Sequence, residues 1–448
     1  MVFSSLEFIF VFLPVFLLVY YMVPMKWKNH IILAGSLIFY GWGSKDNPEY
    51  IALFILSIVM NYMLGWFMQG NPKWRKTAMI TAVIYNLLPL VLFKAAINRI
   101  ILPVGISFFT FQNLSYVFDV YYGKTEAEKS LVRYGAYISM FPQLIAGPII
   151  TYNVMKEQME SRKITTGKIK SGLVYFLLGL GAKVLIANRI GCLWNDVLTI
   201  GFESITTKLA WMGIISYCIQ LYFDFYGYSL MAIGLGRMLG FYFPRNFRNP
   251  YLATSMSDFF RRWHMTLGGW FREYVYIPLG GSRCDKKTMI RNLFAVWLLT
   301  SLWHGIQWNF LLWGMGIFCL IVIEKMWIGD WLRKHRIVGH LYVLSIVPVM
   351  WLTFVITDFT QYRIYLAKMF PFFTAGTEVI YTNDYMKYLS MYGLFFAMGI
   401  FFTTLIPKRI MRKYQYHIGM KVFLTAIFGL SVYCMYRGLN DPFLYFRF

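Results

Sequence analysis

Acidic residues are scarce in this chain: there are 20 Asp and Glu among 448 residues, and charged residues of both signs make up only 14%. An ordinary soluble domain carries about 25% charged residues. On the surface of a 52.7 kDa globule, so few charges would leave large apolar patches facing water. Soluble and intrinsically disordered classes are therefore excluded. Cysteine is sparse too. Cys192, Cys218, Cys284, Cys319 and Cys434 are scattered without a CxxC pair, so they read as packing residues, and neither a disulfide framework nor a metal site is expected. A Walker loop, an HExxH pair and a G-x-S-x-G elbow are all missing. An H-x4-D acyltransferase pattern is missing as well, since Gly269 stands five residues after His264. The glycines of Gly234-Leu-Gly236-Arg-Met-Leu-Gly240 have no βαβ context; small residues at such spacing let membrane helices pack closely.

What is present is apolar. Hydrophobic residues make up 58% of the chain and aromatics 20%, and the mean hydropathy is +0.53. These values predict an all-α, polytopic integral membrane protein. Apolar runs fall at about 31–42, 51–68, 78–93, 101–122, 134–150, 171–188, 208–233, 292–323, 337–357, 388–406 and 418–436, after an opening run from Phe8. A full span takes about 20 residues, so some runs, 31–42 among them, are too short to cross alone, and about ten to twelve spans plus re-entrant pieces are expected. Met1–Tyr21 carries Glu7, lacks a basic n-region and is followed by no small-residue cleavage site; it reads as an uncleaved first span. No internal repeat is evident, and a single integral domain over 1–448 is the simplest partition.

The basic excess, 43 Lys and Arg for a net charge of +23, lies in short loops between apolar runs. That distribution is the signature of cytoplasmic loops. No long basic run favours nucleic acid, and none is expected as a partner. Arg237–Arg291 holds ten basic residues against Asp258, Glu273 and Asp285, which places 237–291 at the cytoplasmic face. Lys325–Arg336 and Lys408–Lys413 are basic as well, and counting onward from them puts the tail, 437–448, outside. The run 292–323 begins and ends beside basic loops yet is too short for two complete spans, so a bend is expected near His304-Gly305. Broken helices within a membrane occur where they are buried in protein or line a cavity. A site is expected there.

Of the six histidines, His30, His335, His340 and His417 lie at span ends or in basic loops. His304 sits in Leu302-Trp303-His304-Gly305 inside an apolar run. It reads either as a hydrogen-bonded core histidine or as a functional one, because an ionisable residue within a membrane is costly and tends to mark a site. A buried imidazole is kept neutral and able to accept a proton, and Gly305 would let a substrate approach the backbone. His264 follows Asp258-Phe-Phe-Arg-Arg-Trp, which could equally be an amphipathic helix on the cytoplasmic surface. Arg261 and Arg262 are either ordinary cytoplasmic charges or receivers of a donor's phosphates. Asp119 and Asp224, in aromatic-rich apolar segments, are expected to pair with basic groups.

Seven motifs fall along the chain: Leu102-Pro-Val-Gly-Ile-Ser-Phe, Phe141-Pro-Gln-Leu-Ile-Ala-Gly-Pro148, Leu221-Tyr-Phe-Asp-Phe-Tyr-Gly-Tyr-Ser229, Arg261-Arg-Trp-His-Met-Thr-Leu, Trp270-Phe-Arg-Glu-Tyr, Leu279-Gly-Gly and Trp303-His-Gly305. Together they resemble the membrane-bound O-acyltransferase family, in its alginate O-acetylation branch. The resemblance implies transmembrane helices around a central tunnel in a bacterial cell membrane. It also implies transfer of an acetyl group from cytoplasmic acetyl-CoA to an exported polysaccharide or cell-wall polymer, completed by an extracytoplasmic acetyltransferase partner. By the same resemblance, His304 corresponds to the catalytic histidine, with 292–323 as the catalytic broken-helix segment. His264 corresponds to a second, supporting histidine; apart from the resemblance, Arg261, Arg262, Asp258 and Trp303, near the two histidines in the sequence, are expected to contact substrate or donor. Acetyl-CoA would be a substrate, with no bound cofactor or metal. Two departures stand out: Gly227-Tyr-Ser-Leu230 has lost a carboxylate from the branch's usual Gly-Tyr-Ser-Asp, and Leu267-Gly-Gly-Trp270 has lost a hydroxyl. D-alanyl transfer to teichoic acid, or a glycan transporter or flippase without chemistry, are the alternatives. The tail Phe443-Leu-Tyr445-Phe-Arg-Phe448 reads as an interfacial aromatic belt. Its spacing is also similar to the tail of a small teichoic-acid D-alanylation partner, which would make Tyr445 an acyl carrier.

Overall fold

A computed structural model describes residues 2–95, 101–145, 147–373 and 382–438. Every regular element among them is helical. Among the described residues, seven helices are long and apolar enough to cross a membrane: Glu49–Gly70, Pro72–Ala95, Thr166–Ile200, Trp308–Lys334, Arg336–Val355, Asp384–Thr403 and Ile418–Tyr436. The short run near 31–42 forms Lys28–Gly43, a 16-residue helix, below the length of a full span. Tyr445 and nearly all of the tail lie outside the described residues.

The chain divides into two compact units, one of 1–177, 228–245 and 269–274, the other of 178–227, 246–268 and 275–448. The first unit is built around rings. Phe3, Phe8, Phe39 and Phe141 are essentially inaccessible to solvent and meet edge-on or tilted at 4.9–6.2 Å, the arrangement the ring quadrupole favours. Several of its buried polar groups pair with one another, which offsets the cost of burying them. Asn61 and Asn86 exchange amide hydrogen bonds at 3.1 and 2.6 Å between neighbouring helices, and Tyr134 donates to Asn113 Oδ1 at 2.7 Å. The glycine-rich segment is helical: a Cβ on Gly172 would lie 2.6 Å from the Gly234 carbonyl oxygen, so these small residues serve close helix packing. Asp119 receives the Tyr274 hydroxyl at 3.0 Å in place of the basic partner expected for it.

The second unit carries the histidines. Within its part of the helix Thr207–Met238, Asp224 pairs with Lys183 at 2.6 Å, both side chains about 99% buried. Lys183 belongs to a single π-helical stretch, Ala182–Ala187, inside the long helix Thr166–Ile200. The expected pairing of this carboxylate is therefore present, with a cation the sequence did not single out.

The run 292–323 is a helical hairpin. Lys286–His304 ends at His304, and Trp308–Ile323 starts after a three-residue break. The legs run antiparallel: Trp297 meets Trp313 at 6.0 Å and Phe294 meets Phe318 at 5.6 Å. They close tightly because Gly314 has no side chain where Ser301 Oγ packs. At about 1.5 Å per residue, the 19 residues of the first leg rise about 28 Å, nearly the thickness of a hydrocarbon core of about 30 Å. His304 thus lies far from the basic end at Lys286.

Candidate functional site

The hairpin tip presents His304 among aromatic rings. Its imidazole lies edge-on to Trp303, Trp313 and Phe354 at 4.7, 5.1 and 5.0 Å, and stacks on Phe310 at 6.1 Å. Where burial was expected, His304 is half-buried, because it is the last residue of its helix and the chain leaves the helical path immediately after it. Gly305 also differs from expectation. A Cβ there would lie 2.6 Å from the Phe310 ring, so the missing side chain makes room for Phe310 rather than for a substrate.

Trp303 stands between the two histidines, with its ring 6.3 Å from His264 and nearly perpendicular to it. His264 is 7% exposed, not on the surface of an amphipathic helix. Two short helices, Met256–Phe260 and Met265–Phe271, enclose the turn that holds it. That turn is pinned to the preceding strand of chain: Arg248 N donates to the Arg262 carbonyl at 3.0 Å, and Met265 N donates to the Asn246 carbonyl at 2.8 Å. Asn246 Oδ1 also accepts from Thr266 N and Oγ1. His264 adopts φ +43°, a left-handed conformation uncommon for a residue with a side chain, and such strain gathers at functional sites. Its Nδ1 is buried without a hydrogen bond, and burial pushes the imidazole pKa down to about 4. Phe225 and Phe247 complete its surroundings at 6.5 and 6.4 Å.

Asp258, Arg261 and Arg262 lie on the turn leading to His264 and part ways in role. Arg262 Nε donates to Asp258 Oδ2 at 2.9 Å, both partly exposed, so their charges offset each other. Arg261 is exposed and makes a 3.2 Å bond to the Ser257 carbonyl. The short helix Met256–Phe260, which carries Asp258 and leads into the two arginines, is anchored by Glu324, whose carboxylate accepts from Met256 N and Ser257 N, where a helix start favours negative charge. Glu324 was missed in the sequence; its signal was an acid at the end of an apolar run beside the basic Lys325–Arg336 turn.

A cavity of about 430 Å³ adjoins the hairpin tip, with Phe310 and Phe354, the rings beside His304, in its wall. Gln220, Gln307, Asp358 and Gln361 are among the polar residues in its wall. Gln220 is 3% exposed and packs where Gly191 lacks a side chain; its Oε1 has no hydrogen bond. A glutamine inside an apolar helix was the available signal. Asp358 caps the helix Phe359–Met369 by accepting from Gln361 N at 2.8 Å.

A half-accessible imidazole beside a cavity with polar groups in its wall is suited to taking a proton from a hydroxyl. Among the described residues no cluster of three or more His, Cys, Asp or Glu could hold a metal ion. Comparison with known proteins bears on the family. "Probable alginate O-acetylase AlgI" of Pseudomonas syringae pv. tomato is 38% identical over 362 residues, covering 76% of this chain and 67% of that protein. Its namesake in Pseudomonas putida is 33% identical over 455 residues, covering 96% and 87%. The peptidoglycan O-acetyltransferase of Helicobacter pylori is 31% identical over 411 residues, covering 79% and 77%. The family model for membrane-bound O-acyltransferases matches residues 43–367, a stretch that includes both histidines and the whole hairpin. With that match, the helical membrane architecture acquires its meaning: the chain belongs to the membrane-bound O-acyltransferase family and is a multi-pass O-acyltransferase.

Proposed function

We propose that the protein takes an acetyl group from acetyl-CoA at the cytoplasmic face and delivers it for O-acetylation of an exported polysaccharide or cell-wall polymer. The observation that carries this reading is the placement of His304 at the tip of a membrane hairpin, about 28 Å along its helix from a basic cytoplasmic end and beside a polar-lined cavity. In the reaction His304 removes the proton of an acceptor hydroxyl. The freed oxygen attacks the thioester carbonyl, the carbon–sulfur bond breaks, and the CoA thiolate takes up the proton. The rings of Trp303, Trp313 and Phe354 keep water from the activated acyl group. Trp303 and neutral His264 position the donor arm, and Arg261 attracts the donor's phosphates. The acceptor reaches His304 through the cavity lined by Gln220 and Gln307.

Purified protein in detergent with acetyl-CoA labelled in the acetyl group tests this reading. Label should pass to an acceptor with wild type and not with His304→Ala. A protein that moves glycan normally without His304, and never consumes acetyl-CoA, would be a transporter. Label absent from acetyl-CoA reactions but present with a D-alanyl donor would reassign the acyl group. We further propose that Tyr445 accepts the acetyl group as an aryl ester before an extracytoplasmic acetyltransferase passes it to the polymer. A phenol of pKa about 10 leaves such an ester activated. Tyr445→Phe should stop polymer acetylation; a normal rate would return the tail to a membrane anchor.

A further inference from the structure

We infer that the first unit contains a binding site for the phosphate of an anionic phospholipid headgroup, centred on Arg162. Arg162 is 8% exposed and Lys28 is 6% exposed, and neither forms an ion pair among the described residues. Both instead gather around Tyr20: Arg162 Nε donates to the Tyr20 hydroxyl at 3.1 Å, and Lys28 Nζ donates to the Tyr20 carbonyl. Arg162 Nη1 donates to Asn29 Oδ1 at 2.8 Å and to the Gln158 carbonyl at 3.3 Å, and the guanidinium lies 4.4 Å from the Phe241 ring centre. Its Nη2 is buried with no partner at all. A buried guanidinium with no anionic partner and a second cation beside it is costly, and a carboxylate or phosphate is what its fork geometry matches.

The space for such an anion is present. A cavity of about 340 Å³ is lined by Arg162, Lys26, Asn29, His30 and Arg133. The one acid in its wall, Glu160, is engaged by Arg133 at 3.5 Å, leaving the lining positive. The site belongs to the cytoplasmic side. Tyr20 and Tyr21 donate to the carbonyls of Leu239 and Met238, where the basic segment beginning at Arg237 emerges. Lipid is the source favoured, because Met22, Met25 and Trp27 beside the cavity are 76%, 44% and 49% exposed. Apolar side chains and an indole at that level face the acyl-chain and headgroup boundary, and basic pockets between membrane helices on this side receive anionic headgroups. This inference is independent of the acyl-transfer reading.

The test is native mass spectrometry of the full-length protein in detergent, titrated separately with phosphatidylglycerol and phosphatidylcholine. Wild type should retain phosphatidylglycerol selectively. Lys26→Gln, an exposed position whose change leaves the fold intact, should weaken retention about fivefold, the scale of one cation at a membrane surface. Arg162→Gln should abolish selectivity, and Arg162→Lys should restore part of it. Equal retention of both lipids, or unchanged retention in Lys26→Gln and Arg162→Gln, overturns the site. Millimolar inorganic phosphate or acetyl-CoA should not displace the bound lipid; displacement would overturn the lipid assignment in favour of a soluble phosphate ligand.

Discussion

His264 and His304 share the Trp303 indole and little else. His304 ends a helix, is half-buried, and faces three further rings beside a cavity. His264 is enclosed, held at φ +43° and kept neutral by burial that pushes its pKa down to about 4. Under the proposed function, the difference separates two kinds of contribution. A base must meet its substrate and exchange a proton, which demands access. A positioning residue gains from rigidity, and a strained, buried conformation is paid for by the contacts that hold it.

Substitutions sharpen or break that contrast. The largest effect is expected from His304→Ala, with acetyl transfer falling by about 10²- to 10⁴-fold, the range of a lost general base, while membrane abundance stays at wild-type level. Polymer acetate measured in cells complemented with the variant checks this, and unchanged acetylation would break the contrast outright.

His264→Ala should cost less activity but more stability, since it empties a buried ring site. Loss of a buried aromatic contact set is worth about 2 kcal/mol or more. His264→Asn should recover much of the thermal stability, because Asn tolerates the left-handed backbone, without recovering activity. If His264→Asn were as active as wild type, the imidazole itself would be dispensable.

Burial of His264 should also show in the pH dependence of stability. Between an unfolded value of 6.5 and a folded value of about 4 for His264, the unfolded state binds the proton and the native state does not. Its contribution to stability is complete above pH 6.5 and is lost as pH falls toward 4, by up to roughly 3 kcal/mol. Thermal unfolding of wild type and His264→Asn across pH 4–7 should converge at the acid end. Curves that stay parallel would contradict the buried neutral imidazole.

The smallest effect concerns the flanking arginines. Arg261→Glu should raise the KM for acetyl-CoA several-fold with kcat nearly unchanged. Arg262→Glu should do less, because Asp258 already offsets that charge and an exposed i,i+4 pair is worth only about 0.3–0.5 kcal/mol. Equal shifts for both would mean that phosphate binding does not distinguish the exposed cation from the paired one.

Much of this was legible in the residues. Scarcity of charge and a mean hydropathy of +0.53 demand a membrane, since nothing else can solvate so much apolar surface. Regular structure in lipid must then satisfy its own backbone, so helices follow. Run length and flanking basic residues located the break at His304-Gly305, where the helix does end. The motifs at positions 261–264 and 303–305 pointed to the family, which the match over residues 43–367 shows.

Other features had no linear signal. That His264 is enclosed depends on Asn246, eighteen residues earlier, holding its turn. The carboxylate that caps its neighbouring helix comes from Glu324, more than sixty residues later. Phe310 claims the space beside Gly305 only because the hairpin folds back on itself. Asp224 meets Lys183 across two helices, whereas Arg162 meets no carboxylate among the described residues. Composition and periodicity determined the solvent, the secondary structure and the residues capable of chemistry, because those follow from local propensity and transfer free energy. Access, strain and charge compensation were decided by the tertiary structure, because each depends on which distant side chains occupy the few ångströms around a group.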